Sequence, residues 1–332
     1  MKVTVLGLGM WGFCIARHLA LNGHEVIGWT KEPELFDLLL RGEDHPNLQR
    51  SCRGLPIQLV STIEEAIQET ELIIESVTTG GVREVLTTLR SLTSLSIPLV
   101  LTSKGIEQKT HMITPDVALD VFGPEAKNRV AMLSGPSFAA EVAKHLPTAV
   151  VCGCTNPEVS DKVINVFASK TFRVYPNVDI RGVAYGGALK NVIAISCGVA
   201  EGLGLGTGAM AALVTRGLHE IVKLGVQEGC QVQTFYGLSG LGDLYLTCSS
   251  PLSRNFRFGQ LMSTGLPRKE AEKQIGMVVE GAYTCKAAEE LAAQHGVQTP
   301  ITAAVSDILS GKISPTEVVT RLMQRHVKEE HL

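Results

Sequence analysis

The chain opens on a pattern that few folds accommodate. Val3-Thr4-Val5-Leu6 reads as a short apolar strand, and Gly7-Leu8-Gly9-Met10-Trp11-Gly12 follows it with no spacer. Phe13–Leu21 then reads as a helix closed by Asn22-Gly23, and His24–Thr30 as a second strand. A strand running into GxGxxG and a helix is the opening of a dinucleotide-binding βαβ unit. Each glycine has its own physical role. Gly7 makes the tight turn, Gly9 lets the backbone approach a pyrophosphate, and Gly12 lets helix and strand pack closely. The helix N-terminus then presents amide hydrogens to the phosphates. NAD-binding versions carry an acidic residue roughly 20 positions past the glycines. Here the corresponding stretch is Thr30-Lys31-Glu32. Lys31 suits a 2′-phosphate, which favours NADP(H) with NAD(H) as the alternative; an ordinary solvated lysine fits the position as well.

The strand–helix alternation continues to residue 176. Strands are predicted at Ile57–Val60, Leu72–Val77, Leu99–Thr102, Val130–Leu133, Ala149–Cys152 and Phe172–Tyr175. Helices are predicted at Glu34–Arg41, Thr62–Glu69, Val82–Leu92, Ile113–Phe122, Phe138–Lys144 and Glu158–Ala168. After Pro176 the pattern is helical only, with Met210–Gln227, Tyr283–His295, Thr302–Leu309 and Thr316–Lys328 the clearest segments. The fold class is therefore α/β: an N-terminal Rossmann-type doubly wound sheet over residues 1–180, then an all-helical substrate domain over 181–332. A length of 332 residues also exceeds what one core usually serves. A formal net charge of −3 gives no field for nucleic acid or an anionic membrane. No secretory leader pattern is visible, and the eight cysteines show no zinc spacing, Cys152-Gly153-Cys154 included. Reduced thiols in a cytoplasmic protein with no metal are the expectation.

The helical half starts with Gly182–Gly206, mostly apolar but interrupted by Lys190, Asn191 and Glu201. Its length approaches a membrane span, but these polar residues and its glycines favour a buried core helix over membrane insertion. A lysine in such a setting is costly unless paired, and its pKa falls readily, so Lys190 is the best candidate proton carrier. Gly186 and Gly187 share its helical face and leave room for a ligand to reach the ammonium. Two loops after strands, Thr102-Ser103-Lys104-Gly105 and Ser134-Gly135-Pro136-Ser137-Phe138, lie where ligands bind in doubly wound sheets. Position alone leaves Lys104 either a ligand contact or a surface charge. Three polar clusters interrupt the helical half: Gly240–Thr247, Ser253-Arg254-Asn255 and Gly276–Gly281. Asp243 is placed to orient an ammonium such as Lys190. Arg254 offers a bidentate fork for phosphate or carboxylate, in what reads as an ordered turn bounded by Pro251 and Phe256.

With these motifs in order, the chain resembles the bacterial-type NAD(P)-dependent glycerol-3-phosphate dehydrogenases over nearly its whole length. The carriers are Gly7–Gly12, Thr102–Gly105, Ser134–Phe138, Phe172–Tyr175, Gly186–Ala194, Gly240–Asp243, Ser253–Asn255 and Val278–Gly281. The resemblance implies reversible reduction of dihydroxyacetone phosphate to sn-glycerol 3-phosphate, supplying phospholipid synthesis, with Lys190 as proton donor or acceptor. It places Lys104, Gly135, Ser137, Asn191, Asp243, Ser253, Arg254 and Asn255 around the substrate, with Thr247 on the substrate side. Met10, Trp11, Lys31, Lys104, Ala139, Arg254, Val278 and Glu280 would touch the cofactor. A homodimer is expected. Two departures stand out: Ser76-Val77-Thr78-Thr79-Gly80 replaces the common Val-Pro-Ser, and Met10 replaces a small residue of the glycine turn. A dehydrogenase for a hydroxy acid or sugar acid is the competing enzyme, and a non-catalytic NADP(H) sensor the competing binding protein. A sensor has no need of Lys190 together with Arg254 and Asn255.

Overall fold

The structure, a computed structural model, describes residues 1–326, 329 and 330. The chain forms two compact units, Met1–Ser103 with Thr114–Val183, and Lys104–Ile113 with the chain from Ala184 onward.

The first unit is built on an eight-stranded sheet: β1 (Lys2–Leu6), β2 (Glu25–Trp29), β3 (Ile57–Val60), β4 (Leu72–Glu75), β5 (Leu99–Leu101), β6 (Val130–Ser134), β7 (Thr148–Gly153) and β8 (Phe172–Asn177). Their spatial order is β3-β2-β1-β4-β5-β6-β7-β8. Neighbours run parallel except β6 and β7, so the last two strands run against the rest. The order reverses between β1 and β4, the switch point at which such sheets bind ligands. Strands covered on both faces read as continuous apolar runs rather than alternating ones. Accordingly Val3, Val5, Leu72, Ile74 and Val100 are fully buried, packed with Phe13, Leu19 and Phe167 from the covering helices. Each such side chain contributes about 1.5–3 kcal/mol by leaving water.

The helix Met10–Leu21 starts inside the glycine motif, three residues earlier than predicted, with Gly9 as its N-cap. Two predicted helices are shorter. Thr62 and Glu65 form the expected capping box, but the helix is only Ile63–Ala66, and Glu69 adopts a left-handed φ of 56°. Likewise Phe138–Lys144 reduces to Ala139–Val142, and His145 is left-handed at 57°.

The second unit contains no strand among the described residues after Asn177. Its longest helix, Ile180–Gly202, begins in the first unit and carries Lys190. It is long and apolar enough to cross a membrane, but 94% of its apolar window is buried within the protein. Glycines set its packing. A Cβ on Gly198 would lie 2.0 Å from the Phe256 carbonyl oxygen, and one on Gly259 would lie 2.1 Å from that of Ile195. The helices Ile180–Gly202 and Arg254–Ser263 thus touch backbone to backbone. Gly186 serves the same end, correcting one expectation: its side-chain space is taken by the backbone of Ser239 and Gly240, 2.8 Å from a Cβ there. It is a packing glycine and not a ligand channel.

Two of the three polar clusters are helix starts, while Gly276–Val279 does separate two helices, as expected. Leu238–Gly242 is a π turn feeding the helix Asp243–Cys248. Ser253 caps Arg254–Ser263, so the expected ordered turn is the first turn of a helix, which Arg254 and Asn255 occupy. The last helix runs Pro315–Met323; of its predicted extension, Val327 and Lys328 lie outside the described residues.

Candidate active site

The first unit holds the glycine turn. Gly7 has a φ of 101°, and a Cβ on it would lie 2.7 Å from the Ser76 carbonyl oxygen. A Cβ on Gly12 would fall 1.8 Å from the Gly7 carbonyl oxygen. Both positions therefore exclude a side chain, while a Cβ on Gly9 would meet nothing within 4 Å. That open space lies at a helix start with neither a side-chain cap nor an acidic residue in its first turn. Exposed amides, partial positive charge and room are what a dinucleotide pyrophosphate needs, so these residues fit the group. His45 braces the turn from behind, stacking on Phe13 and donating from Nε2 to the Leu8 carbonyl oxygen at 3.2 Å. Met10 and Trp11 pack half-buried against the unit's core. Ala139 starts its short helix, and its carbonyl oxygen accepts from Cys14 Sγ. Gly135 packs on the Val150 backbone, and Ser137 donates to the Gly135 carbonyl oxygen. Lys31 is exposed at the end of β2, with both carboxylate oxygens of Glu84 at 2.8 Å. An exposed pair of this kind contributes about 0–1 kcal/mol, so little holds Lys31 to Glu84.

The second unit gathers the predicted proton carrier and its partners. Lys190 lies at the middle of its helix, only 7% exposed. Its Nζ donates to Asp243 Oδ1 at 2.5 Å and to Thr247 Oγ1 at 2.7 Å. Thr247 in turn donates to the Asp243 carbonyl oxygen one helical turn back, which turns its lone pairs toward the ammonium. Lys104 Nζ takes the other carboxylate oxygen, Asp243 Oδ2, at 2.8 Å. Lys104 is thus half-buried and ion-paired rather than a solvated surface charge. Two cations share one anion, and this trio carries a formal charge of +1.

The asparagines form a second chain of bonds. Asn191 donates to the Lys104 carbonyl oxygen, Asn255 Nδ2 donates to Asn191 Oδ1 at 2.9 Å, and Gly281 N donates to Asn255 Oδ1 at 2.9 Å. A Cβ on Gly281 would lie 2.5 Å from the Asn191 carbonyl oxygen, so this bridge also requires glycine. Ser253 is spent on its cap, accepting from Phe256 N. Arg254 and Glu280 each open a helix, and Val278 is exposed just before the second of them. Gly7, Gly9, Met10, Trp11, Gly12, Lys31, Gly135, Ser137 and Ala139 belong to the first unit, the remaining candidates to the second.

Electrostatics sharpen the roles. Burial pulls the Lys190 pKa down from 10.5 to about 8; Asp243 opposes this and Lys104 adds to it. Burial alone would raise the Asp243 carboxyl, but Lys104 and Lys190 outweigh it and hold the group ionised, below its ordinary value. Burial also lowers Arg254, with Glu280 opposing. A lysine poised near 8, held by a fixed carboxylate and hydroxyl, can give or take a proton near neutral pH.

One buried group stands outside every motif named from the sequence. Glu75 ends the apolar run Leu72-Ile73-Ile74 and is fully buried at the exit of β4. A glutamate closing an otherwise apolar parallel strand was the available signal.

A glycine turn fit for a dinucleotide in one unit and a buried lysine paired with a carboxylate in the other are features of a nicotinamide-dependent dehydrogenase. The chain belongs to the NAD-dependent glycerol-3-phosphate dehydrogenase family, whose N-terminal model matches residues 2–160 and whose C-terminal model matches residues 179–320. It is 50% identical over 331 residues to the glycerol-3-phosphate dehydrogenase [NAD(P)+] of Protochlamydia amoebophila, covering 100% of this chain and 99% of that one. The enzyme of the same name from Chlamydia trachomatis is 46% identical, each chain being covered in full. The crystal structure of glycerol-3-phosphate dehydrogenase from Coxiella burnetii superposes with a TM-score of 0.91 at 34% identity, over 98% of this chain and 99% of that one.

Proposed function

We propose that this chain interconverts dihydroxyacetone phosphate and sn-glycerol 3-phosphate with NADP(H), NAD(H) being the alternative cofactor. The observation that carries the reading is the buried Lys190–Asp243–Thr247 cluster in a chain of this family. Residues 1–180 hold the dinucleotide and 181–332 supply the proton chemistry. A bound reduced nicotinamide supplies hydride to C2 of the ketone. Lys190 as ammonium stabilises the oxygen charge that develops and delivers the proton to it. Asp243 keeps the ammonium aimed, and Thr247 fixes its second hydrogen. In the oxidative direction neutral Lys190 removes the hydroxyl proton. Arg254, with Asn255 and Lys104, takes the phosphate end, whose binding energy holds the reacting carbon in place. Ser137, Gly135, Asn191 and Ser253 complete the substrate contacts, while Ala139, Val278 and Glu280 complete those of the cofactor.

Absorbance at 340 nm with dihydroxyacetone phosphate and each reduced cofactor is the direct test. Oxidation of NADPH faster than NADH supports the reading, and no turnover with either overturns it. Cytoplasmic operation, supported by eight buried free thiols, and a homodimer belong to the same proposal. Sedimentation at twice the chain mass tests the latter.

A further inference from the structure

Glu75 and Ser103 pose a proton-counting problem. Glu75 Oε1 lies 2.7 Å from Val77 N and 2.6 Å from Ser103 Oγ. The same Ser103 Oγ lies 2.5 Å from the Val77 carbonyl oxygen. Two oxygen–oxygen contacts this short each need a hydrogen between them. The Ser103 hydroxyl supplies one, and a backbone carbonyl has none to give. The second hydrogen can only be on Glu75. The arrangement is that of a neutral carboxylic acid: Oε1–H donates to Ser103 Oγ, and Ser103 donates to the Val77 carbonyl. Other observations agree. Glu75 Oε2 is buried with no hydrogen-bond partner, a poor setting for a carboxylate. Burial raises the group to about 7, with the Ser103 hydroxyl and the Val77, Ser103 and Thr102 backbone drawing it the other way.

The position of this acid gives it consequence. Ser76 and Val77 form the wall behind the glycine turn: a Cβ on Gly7 would meet Ser76 O at 2.7 Å and Val77 Cγ1 at 2.8 Å, and one on Gly12 would meet Ser76 Cβ at 3.0 Å. Loss of the shared proton leaves the Ser103–Val77 oxygen pair without a hydrogen, which drives Val77 off its seat. It also places a negative charge behind a turn meant for phosphates. The ladder partners of Glu75 are Leu6 and Leu101, and the strongest influences on it are burial and hydrogen bonds with Ser103, Val77 and Thr102 rather than charges. His45 meets the turn at Leu8, and burial keeps it below its usual pKa and neutral. Lys31 at the end of β2 is engaged with Glu84.

We propose that Glu75 is a positioning residue for the dinucleotide turn and that it is held protonated when the turn takes its anionic ligand, so that cofactor binding and proton uptake are linked. The inference rests on the reading of Gly7–Gly12 as the dinucleotide site. By linkage, dinucleotide affinity falls as pH rises through the Glu75 transition, and binding raises the pKa of Glu75. A one-unit rise on binding corresponds to about a tenfold loss of affinity across the transition.

The test is calorimetric titration of the full chain with NADH, which lacks a 2′-phosphate that would itself titrate. Paired buffers of different ionisation enthalpy, at pH 5.5 and 7.5, report proton uptake. The wild type should take up a substantial fraction of one proton at pH 7.5 and almost none at 5.5. Glu75→Gln, which removes the titrating proton while keeping the side chain's size, should bind with no uptake and with affinity flat from pH 6 to 8.5. Ser103→Ala, which retains the acid but removes the hydroxyl hydrogen-bonded to it, should keep the uptake and move its midpoint. Binding without uptake in the wild type, or uptake undiminished in Glu75→Gln, overturns the proposal while leaving the dinucleotide site intact. If Glu75→Gln does not fold, an unmoved midpoint in Ser103→Ala overturns it. Failure of the wild type to bind NADH overturns both the site and the proposal.

Discussion

Asp243 and Glu75 are equally removed from water, 1% and 0% exposed, yet burial meets different company at each. Asp243 has an ammonium on each oxygen and stays ionised well below neutrality. Glu75 has a hydroxyl and backbone amides, and burial wins, leaving it at about 7. Desolvation pushes both carboxyls upward; neighbouring cations decide whether the push succeeds. The second unit therefore keeps a fixed negative charge between two lysines, while the first holds a carboxyl that titrates at about 7 behind the glycine turn. Replacing the cations or the carboxylate ought to erase that contrast, and the expected effects can be ranked.

The largest belongs to Lys190→Ala, which should retain dinucleotide binding but lose about 10²–10⁴-fold in turnover. Lys190→Arg should not restore it, because a guanidinium scarcely releases its proton. Near-normal turnover in the alanine variant would remove Lys190 from the chemistry.

Asp243→Asn attacks the other side of the contrast. It leaves two ammonium groups without their shared anion, and breaking a buried pair in this way costs about 3–5 kcal/mol. Denaturant unfolding at pH 7 should show that loss. Lys190 should then fall further below 8, so the folded form sheds its proton while the unfolded one, near 10.5, still holds it. The wild-type fold keeps this proton up to about 8 while the variant fold has already shed it, so the deficit should shrink as pH climbs toward about 8 and level off above it. A deficit that grows over that range would show that Asp243 is not the counter-charge.

Arg254→Ala should lower kcat/KM for dihydroxyacetone phosphate about 10–150-fold, the worth of a charge-assisted hydrogen bond. The feeble activity on unphosphorylated dihydroxyacetone should barely change. Equal losses on both would assign Arg254 to the cofactor or the fold. The smallest effect expected is in cofactor choice. Lys31→Asp should weaken NADPH more than NADH, and Glu84→Gln, which frees Lys31 from its exposed partner, should shift the ratio a few-fold the other way. An unchanged ratio in both variants would leave Lys31 an ordinary surface lysine.

Much of this was legible in the sequence, for reasons tied to particular residues. Gly7 and Gly12 are read easily because only glycine survives a positive φ of 101° or a carbonyl oxygen 1.8 Å from its Cβ position. The strands are read easily because both faces of the parallel sheet are covered. Lys190 stands out as a lone charge in an apolar helix. Other features depend on tertiary contacts that no local pattern encodes. Gly186 resembles a ligand channel until Ser239 and Gly240 are seen to fill it. Lys104 resembles a surface charge until Asp243, 139 residues away, closes on it. The Ser253–Asn255 cluster reads as a turn because a polar cap and a polar first helical turn look alike in sequence. Glu75 shows in the sequence only as a glutamate closing an apolar strand, because its meaning lies in the position of one hydroxyl on a neighbouring loop, that of Ser103.

The central claim is that Lys190, held by Asp243 and poised near 8, carries the proton in both directions. It is tested most directly by kcat against pH for both reactions of the wild-type enzyme. Oxidation of sn-glycerol 3-phosphate needs neutral Lys190 and should rise to a plateau as pH passes about 8. Reduction of dihydroxyacetone phosphate needs the ammonium and should fall through the same value. Mirror-image limbs sharing one midpoint are the predicted result. Two profiles that move together, or that are flat between pH 7 and 9, would contradict the account.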